Sequence, residues 1–353
     1  MATFTITDQS DFIDGVNYQL QYGFDFGTHA AVPNLGLHNK ERLHQVWKDF
    51  ALLSDHGVRS VRMNVFNDGR TGIVFDGNLR PLAVQESVIL GTLSVLRAAA
   101  DCNLLVSLVM LDHKFAERME WIDAGKPELG TKQGHGRLLL TGAGREEMLS
   151  NVFRPLLQQI GREAPTSLLS FELVNEPESL IEGLSTDPFM QMRLPRSDLP
   201  EFKGFMRAFR DLVHQETEAQ FTVGSIALKH AHIWLDVLDP RLDYLSVHYY
   251  GLNHEPPYDA LYGETVKRLQ GNIPVVWGEY AANGFADYVN YLYPQQFSTA
   301  SQFLEDALKH NIKGAYAWAL RSGVGAWGDT FGPVPLDQHR AFATRCKVAQ
   351  PGK

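Results

Sequence analysis

Cysteine is scarce: Cys102 and Cys346 are the only two in 353 residues. Two thiols so far apart offer neither a disulfide framework nor a zinc-ligand spacing, and both are expected to be structural. Positive charge is outnumbered, with 32 Lys and Arg against 41 Asp and Glu and a formal net charge of −9. That balance disfavours nucleic acid or an anionic membrane surface as a partner. No run approaches the ~18 apolar residues of a membrane span. The opening MATFTITDQSDFIDG lacks the basic and apolar segments of a secretory signal. The default expectation is therefore a cytoplasmic protein; a secreted or periplasmic one would require a leader already removed. Internal repeats, low-complexity tracts and long polar linkers are missing too.

Apolar material is plentiful, at 44% of the chain. Short strand-like runs alternate with amphipathic stretches. The expected strands are Tyr22–Phe26, Val58–Phe66, Leu104–Leu111, Leu168–Val174, Phe221–Ile226, Leu242–Tyr249, Pro274–Gly278 and Gly314–Leu320. Most are almost continuously apolar, as when both faces of a parallel sheet are covered. Between them the spacing predicts helices such as Lys40–His56, Val84–Asp101, Arg145–Glu163, Glu201–Glu218 and Gln296–His310. Leu43, Val46, Trp47 and Phe50 show the three-and-four spacing of a buried stripe. His56-Gly57 and Asn311 are plausible helix stops. Eight strands alternating with helices predict an α/β fold of the (β/α)8 TIM-barrel type, one domain over residues 1–353, with a doubly wound open sheet as the alternative. Long loops are expected after the third, fourth and eighth strands, those at 112–141 and 179–200 walling a cleft to which Phe189, Met190 and Met192 could add apolar contact.

Barrel enzymes build their sites at the C-terminal ends of the strands. Two of these runs deliver a glutamate there: Phe171–Glu178 brings Glu176 and Ile273–Tyr280 brings Glu279. Two carboxyls presented alike on rigid backbone suit the hydrolysis of a glycosidic bond. Pro177 should push Glu176 out of the helical region. Arg62, flanked by apolar residues, is costly to bury without an anion and is expected to partner a catalytic carboxylate. Asp112 and His113 either line the sugar site or cap the following loop. His248-Tyr249-Tyr250 ends the sixth run, and a tyrosine hydroxyl there could orient an ionised carboxylate. Trp318, with Trp327 beyond it, offers flat faces suited to a pyranose ring. Glu172 is expected to be structural, Glu178 solvated, and Trp234 and Trp277 core.

These positions resemble clan A of the glycoside hydrolases, most closely family five, the cellulase-type barrels. That family shows an arginine on strand two, Asn-Glu-Pro ending strand four, His-x-Tyr after strand six, a glutamate ending strand seven and a tryptophan on strand eight. The matching residues are Arg62, Asn175-Glu176-Pro177, His248 with Tyr250, Glu279 and Trp318. Where the family often has a histidine near the end of strand three, His113 follows Asp112 at the start of a long loop. The resemblance implies a retaining hydrolase of β-linked glucosides, mannosides or related oligo- and polysaccharides. Glu279 would be the nucleophile and Glu176 the general acid/base, with Asn175 on the sugar 2-hydroxyl. No metal or organic cofactor is implied. A transglycosylase using the same covalent intermediate and a catalytically inactive carbohydrate-binding barrel are the alternatives.

Three other patterns are set aside. Gly323-Val324-Gly325-Ala326-Trp327-Gly328 fits the dinucleotide glycine spacing, but the following Gly332-Pro333-Val334-Pro335 does not open a helix. His230-Ala231-His232 has no evident partner cluster for a metal. A Gly-x-Ser-x-Gly nucleophile elbow does not occur.

Overall fold

Eight parallel strands close on themselves in the computed structural model: β1 (Ile13–Asn17), β2 (Ser60–Asn67), β3 (Leu105–Asp112), β4 (Leu168–Asn175), β5 (Gln220–Ser225), β6 (Leu245–His248), β7 (Val275–Ala281) and β8 (Gly314–Trp318). Each pairs with the next, and β8 returns to β1 from Ile13↔Gly314 to Val16↔Ala317. This is the TIM barrel that the alternation of runs predicts. The structure describes residues 6, 12–20, 25–28, 36–116, 142–163, 165–184, 194–239, 241–250, 273–281, 299–320 and 334–349. Trp327, the glycine pattern at 323–328, Phe189, Met190, Met192 and most of the long loop after β3 lie outside the described residues.

The first strand is a correction. It is Ile13–Asn17 rather than Tyr22–Phe26. Asp14 and Gly15 dilute its apolar signal, and both are there for distant partners. Asp14 lies 2.7 Å from His339 Nδ1, both buried. At Gly15 a Cβ would meet the Tyr316 ring at 2.4 Å, so only glycine leaves room for that ring across the barrel.

The outer helices include α1 (Lys40–Asp55), α2 (Glu86–Asp101), α3 (Arg154–Glu163), α4 (Leu199–Glu216), α5 (Ala300–Lys309) and α6 (Leu336–Ala349). Asn39 caps α1 by accepting from Glu41 N, and Thr299 with Gln302 forms a capping box on α5. Gly57 and Asn311 take the positive φ that ends α1 and α5 (83° and 57°), in line with the expected stops. The buried stripe of α1 is rotated from expectation: Val46, Asp49, Phe50 and Leu53 face inward, while Trp47 is 45% exposed. Asp49 is tolerated inside because Tyr18 and Gln45 hydrogen-bond its carboxylate. Between α4 and the sheet, Phe153, Phe171, Phe209 and Phe221 pack edge to face around Phe209 at 4.9–6.5 Å. Each such fully buried side chain contributes ~1.5–3 kcal/mol by leaving water.

Inside the barrel, polar groups stack in layers. At the lower level Ser60 bonds the Tyr316 hydroxyl, and Ser170 bonds both Ser107 and Tyr244. One step up lies Arg62, two residues beyond Ser60 and therefore on the same strand face. Register carries the rest to that level: Asn17 pairs with Arg62, and Asp112 with Asn175. Between β6 and β7 the pairing slips so that Val247 faces Trp277 but His248 faces Glu279. That slip is the local irregularity that brings His248 beside the second glutamate.

Candidate active site

Arg62 is the centre of the arrangement. Only 3% exposed, it donates through Nη2 to Glu172 Oε1 (2.8 Å) and Asn175 Oδ1 (2.6 Å). Nε donates to Glu172 Oε2 (3.3 Å), and Nη1 to Asn17 Oδ1 (2.9 Å) and Glu279 Oε1 (3.0 Å). A guanidinium has five N–H groups, so every one has an acceptor. Burial alone would lower its affinity for the proton, but the Glu172 and Glu279 carboxylates outweigh it and hold Arg62 charged. Gly224 on β5 makes space for the pair, since a Cβ there would overlap the Glu172 carboxylate. Arg62 thus reaches Glu279 with one bond, while its fork-to-fork partner is Glu172, a carboxylate outside the expected pair.

Glu279 and Glu176 come together. One carboxylate oxygen of each, and one ring nitrogen of His248, all lie within 4.8 Å of one another. Glu279 Oε2 accepts from the Tyr250 hydroxyl at 2.5 Å. His248 Nδ1 is 2.8 Å from Glu176 Oε1 and 3.5 Å from Glu279 Oε2. Glu176 keeps 17% of its side chain exposed, against 5% for Glu279, so it is the more accessible of the two carboxyls. Its backbone is left-handed (φ 52°, ψ 56°), a region few non-glycine residues occupy. Pro177 thus does exclude the right-handed helical region, but the outcome is left-handed rather than extended.

Burial raises the proton affinity of both glutamates. Asp112 adds to the effect at Glu176, while His113 opposes it. At Glu279, Arg62 pulls the other way, and the Tyr250 hydrogen bond favours the ionised form. Of the two glutamates it is Glu279 that accepts from Arg62 and Tyr250, and both bonds favour its ionised form. Burial drives His248 down to about 4 despite the Glu279 charge, which keeps the ring neutral near pH 7.

Of the two roles open to it, Asp112 takes that of the cap and also holds Asn175. It accepts from Lys114 N (2.9 Å), capping the next turn, and from Asn175 Nδ2 (3.0 Å), fixing the amide beside the glutamates. The Asp112 carboxyl is buried, yet His113, Lys114 and these hydrogen bonds hold it below the usual range. His113 Nδ1 lies 3.4 Å from Asp112 Oδ1 and 3.6 Å from Glu176 Oε2. Trp318 ends β8, partly exposed. Trp234 and Trp277 are core, as expected. His230 and His232 lie on a short helical turn after β5 and are not in the group formed by Glu176, His248 and Glu279.

Glu178 is the second correction. Instead of being solvated it is fully buried, accepting from Trp234 Nε1 (2.7 Å), Ile226 N (3.1 Å) and Ser225 Oγ. Asn17 is the residue that sequence reasoning passes over. It accepts from Arg62 and donates through Nδ2 to Gly278 O at 3.0 Å, tying Arg62 to the strand that carries Glu279. Its signal, an asparagine closing Gly15-Val16-Asn17, is hidden once the first strand is placed too late.

No family model matches this chain, and no curated protein sequence matches it. Solved structures do. A β-mannanase from the blue mussel Mytilus edulis aligns over 97% of this chain and 94% of its own, with 16% identity and a TM-score of 0.67. A GH5-4 broad-specificity endoglucanase from an uncultured bacterium covers 98% and 97% at 15% identity, TM-score 0.58. The β-glycosidase of Thermosphaera aggregans covers 95% and 96% at 12% identity, TM-score 0.55. The chain therefore shares the (β/α)8 barrel fold of these glycoside hydrolase structures along nearly its whole length.

Proposed function

We propose that this protein is a retaining β-glycosidase of the family-five type, hydrolysing β-linked glucosides, mannosides or related oligo- and polysaccharides. The observation that carries the reading is the approach of a Glu176 oxygen to a Glu279 oxygen within 4.8 Å. Retention works with carboxyls ~5–5.5 Å apart, whereas inversion needs ~6.5–9.5 Å to admit a water.

Glu279, ionised beside Arg62 and Tyr250, attacks the anomeric carbon and forms a glycosyl ester as the bond to the leaving oxygen breaks. Arg62 and Tyr250 hold its two oxygens in place and stabilise the charge that is consumed. Glu176, kept protonated by burial and by Asp112, gives its proton to the leaving oxygen. Once Glu279 is esterified its charge is gone, so the Glu176 carboxylate left by that transfer is stable as the anion and can take a proton from the incoming water. Asn175, oriented by Arg62 and Asp112, is placed to meet the sugar 2-hydroxyl. Trp318, partly exposed at the end of β8, would offer its ring to a pyranose.

Mannan-active and glucan-active enzymes among the structural neighbours make β-mannan and β-glucan the first substrates to test. Purified protein should release reducing sugar from one of them, with the first-formed product in the β configuration by proton NMR. Formation of the α anomer, or no turnover of any β-linked aryl glycoside, oligosaccharide or polysaccharide, would defeat this reading.

A further inference from the structure

Resting on the assignment of Glu176 as acid/base, we propose that Glu178 is a positioning residue that holds Glu176 in its proton-donating orientation. Glu178 is completely buried, so it cannot reach a substrate, and the mechanism above gives it no task. An uncompensated carboxyl in such a place is costly. It is compensated by three donors from one segment: Ser225 Oγ at the end of β5, Ile226 N just after it, and Trp234 Nε1 from the following turn. Trp234 is itself immobile, buried and edge-on to Phe202 with ring centroids 6.1 Å apart.

The consequence falls on Glu176. Its left-handed backbone persists only if its surroundings over-determine it. One side is held by Glu176 N donating to Gly224 O at 2.9 Å. The other side is the single turn Pro177–Leu180, closed by Ser179 N to Glu176 O at 3.0 Å and carrying Glu178. Glu178 pins that turn to the same β5 end that Glu176 N bonds. Both anchors of the acid/base thus sit on consecutive residues, Gly224 and Ser225–Ile226. Releasing the second anchor frees Glu176 to leave its narrow backbone region, and a misplaced acid is a weak acid catalyst even when substrate still binds.

The test compares kcat/KM, which reports glycosylation, for two substrates of the same sugar. One is a dinitrophenyl β-glycoside, whose leaving group needs no protonation; the other is an unactivated oligosaccharide. Glu176→Ala sets the reference and should lose the oligosaccharide selectively. Glu178→Ala should follow it, losing about tenfold or more on the oligosaccharide and under about threefold on the dinitrophenyl glycoside. Glu178→Gln, which can keep the Trp234 and Ser225 bonds, should recover most of the loss. Trp234→Phe keeps a ring in the core but removes one donor, and should show the same selective loss in smaller measure. Should Glu178→Ala fail to fold, the glutamine and phenylalanine variants carry the comparison. Selective loss in Glu176→Ala with equal loss, or none, on both substrates in the Glu178 and Trp234 variants overturns the positioning role. Absence of selectivity in Glu176→Ala itself overturns the acid/base assignment, and this inference with it.

Discussion

Arg62 and Glu172 meet fork to fork inside the barrel, Nη2 to Oε1 at 2.8 Å and Nε to Oε2 at 3.3 Å, with both side chains out of water. The remaining N–H groups of Arg62 fan out to β1, β4 and β7. Glu172 thus aims the guanidinium, and Arg62 passes that geometry to Asn175 and Glu279.

Breaking this pair from one side leaves a buried charge alone. Arg62→Met should cost about 3–5 kcal/mol of stability by denaturant unfolding and abolish most turnover. Arg62→Met combined with Glu172→Met should cost clearly less than the sum of the two single changes, because neither charge is then orphaned. Additive losses would show that the two side chains act independently.

Tyr250→Phe removes one hydrogen bond to Glu279 Oε2 and keeps the ring. A bond to an ionised group is worth about 1.5–3 kcal/mol, so kcat should fall roughly ten- to hundredfold while the protein still folds, as far-UV circular dichroism would show. An unaltered kcat would remove Tyr250 from the support of the nucleophile.

The two glutamates are separable by stereochemistry. In Glu176→Ala the nucleophile survives, so an activated aryl glycoside still forms the covalent intermediate, and azide should capture it as the β-glycosyl azide. In Glu279→Ala azide enters from the vacated face and should give the α product. Product NMR distinguishes them, and exchanged outcomes would reverse the roles of Glu176 and Glu279.

His248 supplies a pH signature. Burial holds it down to about 4 in the fold, against ~6.5 in the unfolded chain. Between those values the unfolded state binds the proton and the folded state does not. The stability contributed by neutral His248 is therefore complete above pH ~6.5 and is lost as pH falls toward 4. The ring resonances should titrate near 4, and wild-type stability should fall more steeply over that window than that of His248→Asn. A titration at 6.5 or above would contradict this.

Much of the site is legible in one dimension because each part is a local pattern. An apolar run that leads into Asn175-Glu176-Pro177 or into Glu279 fixes a strand and a carboxyl at or near its end, with no help from elsewhere. The alternation of such runs with helices is likewise local, and it determines the barrel class. What the sequence alone leaves undecided is the fate of charged groups whose partners are remote. Asp14 is buried because His339, 325 residues later, reaches it, so the strand it interrupts reads as a loop. Glu178 is buried because Ser225 and Trp234 arrive 47 and 56 positions downstream. Trp47 has the right spacing for the core but lies on the wrong side of the α1 stripe, a rotation that only packing sets. The slip that seats His248 opposite Glu279 is a register choice between two strands. The desolvation cost of a charge depends on what surrounds it in space, and only closing the barrel decides that.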